Sequence, residues 1–354
     1  MNGQETSGLT IALDAMGGDR APDMVLAGAQ LARIRHPDIS FVLVGDQARI
    51  EPLLAKRKLL ASCARIVHTD RAITNDERPS VALRAGRGSS MRMAIDLVAS
   101  GESDCIVSAG NTGALMAMAK FVLKTLPGID RPAMASFFPT MRGESVMLDL
   151  GANIECDPDN LVQFAVMGAI FGQAVLGLTR PSIGLLNVGA EALKGNDVVK
   201  EASNRLQDMK LPGDFHGFVE GNDIPAGTVD VVVTDGFTGN IALKTAEGTA
   251  ALVNEWLRRT FRSSVFAMLG YLLARNAFRK LRQRADPRQY NGAMFLGLRG
   301  ICVKSHGGTD AKGFANAIDV AVDLVRNGFN EHVKEELDRY GDRHEELAAA
   351  MGGT

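Results

Sequence analysis

A chain of 354 residues that is 46% apolar has the material for a large core, and its length fits one large domain or two smaller ones. A formal net charge of −2 excludes a global polyanion binder, so nucleic acid is not an expected partner and any basic patch must be local. Cys63, Cys105, Cys156 and Cys302 form no C-x-x-C pair and no zinc spacing, and the polar residues 1–8 lack the apolar run of a secretion signal, which together point to a reduced, cytoplasmic protein with no metal site.

Along the chain, short apolar β-branched runs alternate with segments of helical spacing. Strands are expected at 9–14, 41–45, 65–68, 105–108, 146–150, 183–188 and 229–234, with a further strand-like run at 300–303. Helices are expected at 22–35, 80–100, 112–126, 159–176 and 312–326. Apolar strands between helices imply a three-layer α/β/α fold whose mostly parallel sheet is covered on both faces. The chain reads as a single α/β catalytic domain over 1–354, with a division into two subdomains left open. One segment breaks the rhythm: 249–286 is helix-prone throughout and reads as a helical excursion from the sheet. Its apolar centre, 265–274, is too short to span a bilayer.

The 38 glycines, about 11% of the chain against a usual 7%, recur singly after the strand-like runs. The first such loop holds Asp14, Gly17, Gly18 and Asp19; the second holds Ser108, Gly110, Asn111, Thr112 and Gly113, with Asn111 or Thr112 capping the next helix. A third holds Asn187, Glu191 and Lys194, and a fourth Asp235, Gly239, Asn240 and, one turn on, Lys244. Glycines allow close backbone approach, and free N–H groups at helix starts favour an anion such as phosphate. Ordinary strand-to-helix turns use the same residues. Ligands of parallel sheets lie beyond the carboxyl ends of the strands, so these loops are expected to share one edge. Near the C-terminus, Lys304-Ser305-His306-Gly307-Gly308-Thr309-Asp310 repeats the pattern and holds the one histidine in such a loop. No G-x-G-x-x-G after a strand, no P-loop and no G-x-S-x-G elbow is present, which argues against a nucleotide cofactor and against a serine nucleophile.

Taken in order, ALDAMGGD (12–19), SAGNTGA (108–114), LDLGAN (148–153), LLNVGAEALKGN (185–196), VVVTDGFTGNIALK (231–244), YNGAMFLGLRG (290–300) and VKSHGGTD (303–310) resemble the PlsX family, the acyl-carrier-protein:phosphate acyltransferases of bacterial phospholipid synthesis. The resemblance implies transfer of a fatty acyl group from acyl-carrier protein to inorganic phosphate. It also implies a homodimer, a fold like that of isocitrate and isopropylmalate dehydrogenases, no cofactor, and peripheral association with the inner face of the cell membrane, where the product passes to a glycerol-3-phosphate acyltransferase. The 303–310 loop is similar to the anion-binding loop of phosphotransacetylases.

That chemistry needs little acid–base help. Phosphate is largely ionised near neutrality, with a relevant pKa of about 6–7 judging from phosphate monoesters, and a thiolate with a conjugate-acid pKa of about 8.5 leaves readily. Holding the two reactants together contributes roughly 7–11 kcal/mol, and each donor to the developing oxyanion about 3–4 kcal/mol. The expected catalytic residues are His306, Lys194, Asn111 and Asp235. The expected substrate-binding residues are Gly17, Gly18, Gly110, Thr112, Gly113, Asp149, Asn153, Asn187, Gly239, Asn240 and Lys304.

In the excursion, eight Arg or Lys between 258 and 284 flank an apolar centre. A helical hairpin is expected whose tip, with Phe266, Leu269 and Leu272, enters the membrane surface while its arginines meet anionic headgroups. The same arginines also suit the acidic carrier protein. Two other classes compete: a nicotinamide-dependent decarboxylating dehydrogenase, on fold analogy alone, and a non-enzymatic membrane-surface scaffold that binds carrier protein.

Overall fold

The computed structural model describes residues 8–284 and 291–339. Tyr290 of the 290–300 stretch and the last two residues of the expected excursion lie outside the described residues. The β-branched runs form strands as the alternation predicts: β1 (Thr10–Asp14), β2 (Ser40–Gly45), β3 (Ala64–His68), β4 (Cys105–Ser108), β6 (Gly143–Leu148), β7 (Ser182–Leu186), β9 (Val231–Val233) and β11 (Ile301–Lys304). Three more were not anticipated: β5 (Ala133–Thr140), β8 (Asp214–Val219) and β10 (Ala293–Leu296). All eleven join one sheet in the order β3-β2-β1-β4-β11-β10-β5-β6-β9-β7-β8.

The main helices are α1 (Asp23–Arg35), α4 (Pro79–Ala85), α5 (Ser90–Ala99), α6 (Thr112–Leu123), α7 (Pro158–Leu176), α8 (Asp197–Asp208), α10 (Gly236–Arg262), α11 (Val265–Arg284) and α12 (Ala311–Arg326); α2 (Gln47–Leu54), α3 (Lys58–Ala61) and α9 (Asp223–Ala226) are short. The segment expected as one helix over 80–100 is broken at 86–89, where the Ser89 hydroxyl accepts from Arg92 N and caps α5. Asn111, Asn196, Asp235 and Asp310 likewise cap α6, α8, α10 and α12, each accepting a backbone N–H from the first turn.

Side-chain alternation sorts the two helical layers. Ile11, Leu13 and Leu43 face a core shared with α1, α7 and α12, whereas Ala12, Val42 and Ile106 face α5 and α6. On the far half, Met147 and Val232 pack against Leu243 of α10. α7 is long and apolar enough to cross a membrane by composition, but most of it is buried in this core.

Strand direction decides where the loops go. Seven pairings are parallel; β10 runs antiparallel to β11 and β5, and β5 antiparallel to β6. These three reversals turn the β6–β9–β7–β8 half against the β3–β2–β1–β4–β11 half. Loops after β1, β4 and β11 therefore lie on one edge of the sheet, and loops after β6, β7 and β9 on the opposite edge. The expectation of a shared edge is overturned. It failed because the apolar runs of β5 and β10 were not recognised as strands, so the reversal at the centre was invisible.

The excursion begins earlier than expected, at Gly236. Only Gly236 and Gly239 of α10 are buried. At 1.5 Å per residue its 27 residues reach about 40 Å. After a turn at Ser263 and Ser264, α11 returns beside it, and the rings of Phe261, Tyr271 and Phe278 pack edge-on or tilted with centroids 4.8–5.4 Å apart.

Candidate functional site

The first edge is organised around Asp14, the last residue of β1. Its buried carboxylate accepts from Ser90 Oγ at 2.6 Å and from Ser108 Oγ at 2.7 Å, and Ser108 Oγ in turn accepts Gly110 N–H at 3.1 Å. Burial raises the Asp14 pKa, opposed by those two hydroxyls, by Met16 N–H and by Lys304. Gly17 lies against this group: a Cβ there would stand 2.5 Å from Asp14 Oδ2 and 2.8 Å from Gly110 N. Gly18 has φ +101° and would press a Cβ on Ala109. These glycines are needed for close approach as well as for the turn.

Lys304 ends β11 behind the same loops. It is 7% exposed and donates to Ser305 O. Burial lowers its pKa to about 8, against the opposing pull of Asp14 and Asp19. The following loop is stitched to its neighbours on every carbonyl. Ser305 O accepts from Lys304, His306 O from Thr309 N, Gly307 O from Asp19 N, and Gly308 O and Thr309 O from Arg20. With all five carbonyls engaged, what remains outward on residues 305–309 is donor: the exposed His306 ring and Gly307 N–H, which carries no bond among the described residues. A loop whose carbonyls are engaged and that leaves an N–H donor outward suits an anion better than a cation.

Asn111 is spent on structure. Its Oδ1 caps α6 by accepting from Ala114 N at 3.0 Å, and its amide nitrogen donates to Thr74 O, Asn75 O and Glu77 O at 2.9–3.3 Å. It thereby holds the 74–77 segment beside the loops, where Asn75 Nδ2 reaches Asp19 Oδ1 at 3.1 Å. A Cβ on Gly113 would meet Pro79 Cγ at 2.7 Å, so Gly113 seats α4 against α6. Thr112, the first residue of α6, stays exposed.

On the second edge Asp149 plays the part of Asp14. Its buried carboxylate accepts from Met134 N, Ala152 N, Asn153 N and Asn153 Nδ2 at 2.7–3.0 Å. Burial raises its pKa and these donors pull the other way. Asn153 also donates to Pro132 O, Asn187 Nδ2 donates to Gly189 O and Lys194 O, and Asp235 accepts from both the backbone and the hydroxyl of Thr238. A Cβ on Gly239 would fall 1.9 Å from Asp149 O, so only glycine lets α10 start this close to the β6 loop. Lys194 and Asn240 are exposed and carry no side-chain bond among the described residues.

The structure thus sorts the expected residues by role and by edge. Gly17, Gly18, Gly110, Asn111, Thr112, Gly113, Lys304 and His306 gather on the first edge; Asp149, Asn153, Asn187, Lys194, Asp235, Gly239 and Asn240 gather on the second. Asn111, Asp149, Asn153, Asn187 and Asp235 are engaged in holding loops. The unengaged side-chain donors are Thr112, His306, Lys194 and Asn240. Sequence reading missed Arg20, Asn75, Ser90 and Asn291, which lie outside strand-end glycine patterns. Two surface depressions are separate from these side chains: one of about 620 Å³ is lined by Arg180, Lys210 and Phe215, and one of about 410 Å³ by Ala190, Lys200 and His216 beside the β7 loop.

Burial raises the thiol pKa of Cys63, Cys105 and Cys302, and raises that of Cys156 to about 12. None of the four is a thiolate near neutrality.

Residues 9–332 match the family described as "Fatty acid synthesis protein". The chain is 69% identical over 329 residues to the phosphate acyltransferase of Rhodospirillum centenum, covering 93% of each chain. It is 60% identical over 332 residues to that of Rhodospirillum rubrum, covering 94% of this chain and 95% of the relative. Among solved structures, a phosphotransacetylase from Streptococcus pyogenes shares the fold with a TM-score of 0.60 at 17% identity, covering 91% of this chain and 95% of that one. The EutD phosphotransacetylase from Staphylococcus aureus does so with a TM-score of 0.57 at 17% identity, covering 90% and 95%. With a family match over residues 9–332 and relatives this similar over nearly its whole length, the chain belongs to the PlsX family of phosphate acyltransferases.

Proposed function

We propose that this enzyme moves a fatty acyl group from acyl-carrier protein to inorganic phosphate by direct attack of phosphate on the thioester, releasing acyl phosphate and free carrier protein. The observation that carries this reading is the 305–309 loop, whose carbonyls are all engaged and whose outward groups are donors. It suits a bound oxyanion next to α6, where Thr112 and the helix N-terminus add to the positive field. Lys304 supplies a buried charge from behind. The raised cysteine pKa values leave no thiolate for an acyl-enzyme. Family membership displaces the dehydrogenase and scaffold readings.

His306 and Lys194 lie on opposite edges of one chain. In the homodimer we propose, the β6–β7–β9 edge of one protomer covers the β1–β4–β11 edge of its partner, joining Lys194 and Asn240 to His306. The two-fold symmetry of such a contact would create two equivalent sites. His306 then donates a hydrogen bond to the departing thiolate, which takes its proton from water.

The α10–α11 hairpin supports reversible contact with the inner face of the cell membrane. Phe266, Leu269 and Leu272 are exposed near its tip, with Arg258, Arg259 and Arg262 on the adjoining turns. Each buried large apolar side chain contributes about 1.5–3 kcal/mol and each lipid-proximal Arg about 1 kcal/mol. Release at the bilayer would shield an amphiphilic mixed anhydride and pass it to a membrane glycerol-3-phosphate acyltransferase. The reading is tested by mixing long-chain acyl-carrier protein with the enzyme and following free carrier thiol while trapping acyl phosphate as a hydroxamate. Thiol release that depends on phosphate supports it; release independent of phosphate overturns it.

A further inference from the structure

Asn291 is buried, 8% exposed, and precedes β10 on the interior side of the His306 loop. Its amide is fully used. Nδ2 donates to Gly313 O at 2.7 Å and to Ser305 Oγ at 2.8 Å, with Thr309 Oγ1 at 3.4 Å, and Oδ1 accepts His306 N–H at 2.8 Å. One side chain, just before β10, therefore ties together the 305–309 loop and the first turn of α12. The loop it fixes folds back on its own histidine: Gly308 N–H donates to His306 Nδ1 at 3.1 Å. A ring nitrogen that accepts an N–H carries no proton itself, so the neutral imidazole holds its proton on Nε2. Nε2 has no partner among the described residues.

We infer that Asn291 is a positioning residue that, with Gly308 N–H, fixes His306 as a single-donor ring presenting Nε2–H to the substrate. The inference rests on the acyl-transfer reading for its substrate, but the tautomer itself does not. The chemistry follows from the neighbouring groups. An Nε2 lone pair facing outward would repel phosphate and the thioester oxygen, whereas Nε2–H joins Gly307 N–H as a second donor on the same loop. As the carbon–sulfur bond breaks, the electron pair goes to sulfur, and Nε2–H hydrogen-bonds the developing thiolate without giving up its proton; the thiolate, whose conjugate acid has a pKa of about 8.5, leaves as the anion. Asn291 touches none of the reacting atoms. Its effect passes through the backbone at His306.

Two measurements test this on the full-length enzyme. The first is nitrogen-15 NMR of histidine-labelled protein above neutral pH, with His306→Gln identifying the signal. The inference expects the Nε2–H tautomer in the wild type and a mixture of tautomers in Asn291→Ala. A wild-type Nδ1–H tautomer, or an unchanged signal in Asn291→Ala, overturns it. The second compares His306→Gln, whose amide nitrogen replaces Nε2, with His306→Asn, whose amide nitrogen replaces Nδ1. His306→Gln should retain at least about tenfold more kcat, the effect of one correctly placed donor. Equal or reversed activities overturn the inference. Asn291→Ala should lower kcat by about 100-fold with little change in phosphate KM, the usual effect of a small misplacement. Should Asn291→Ala fail to fold, Asn291→Asp keeps the acceptor for His306 N–H, loses the donor to Gly313 O and should show a loss of about tenfold. Wild-type enzyme with the expected tautomer but no phosphate-dependent transfer would sink the functional reading alone. Normal transfer with the histidine variants reversed would sink this inference alone.

Discussion

Lys304 gives the sharpest quantitative test, because its charge is buried beside the proposed phosphate site. The distance between an ordinary lysine value of 10.5 and about 8 corresponds to a penalty of about 3 kcal/mol on the charged form. At pH 7 the side chain is about nine-tenths protonated, and at pH 9 about one-tenth. Inorganic phosphate finishes its second ionisation just above neutrality, so over the alkaline part of that range it is dianionic and Lys304 is the group that titrates. The rate constant kcat/KM for phosphate should therefore fall with a midpoint near pH 8, approaching about tenfold per pH unit above it. Stability should move the other way. With the folded pKa below the unfolded one, the unfolded chain holds more protons between pH 8 and 10.5, so this group makes folding more favourable as pH rises through that window. A fall in activity without a fall in Tm separates lost charge from unfolding. The assay is phosphate saturation from pH 7 to 9.5 with phosphate-free blanks, repeated on Lys304→Met. The variant should show a lower plateau and no limb at pH 8. An unchanged alkaline limb in Lys304→Met would refute the assignment.

Asn111→Ala removes a helix cap, a loss of about 1 kcal/mol, and frees three carbonyls of the 74–77 segment. Proteolysis near residues 74–78 should accelerate and phosphate KM should rise; unchanged values would mean that the clamp is idle. Co-expressing Lys194→Ala with His306→Ala should restore about a quarter of wild-type activity, since half of randomly paired dimers would carry one intact site. No recovery would place both residues in one protomer's site. Leu269→Glu should weaken flotation with anionic vesicles while leaving transfer from carrier protein in solution intact; unchanged flotation would exclude the tip.

Local features were legible in the sequence and long-range ones were not. The β1, β4 and β11 runs and the cap at Asn111 rest on apolar β-branched runs and on a side chain that bonds within three residues, and these are local properties. The direction of β6 depends on β5 and β10. β10 is an Ala-Met-Phe-Leu run that pattern alone cannot distinguish from a buried helix segment, and the parity of the whole far half follows from it. The division of labour among polar residues was equally hidden. Asn111 and His306 look alike as strand-end polar residues, but three carbonyls from residues 74–77 occupy the first. Asn291 follows a stretch without periodicity and reaches its partners 14 to 22 residues away. Gly239 was recognised as a loop glycine, but its reason is the Asp149 carbonyl 90 residues earlier.

The central claim, that phosphate itself attacks the thioester, is tested most directly by rapid-quench mixing of enzyme with excess long-chain acyl-carrier protein, with and without phosphate, followed by intact-mass measurement of the enzyme. The account predicts no carrier thiol and no change in enzyme mass until phosphate is added, then one thiol released for each acyl phosphate formed. A phosphate-independent burst of one thiol per active site, with the enzyme heavier by one acyl chain, would contradict it.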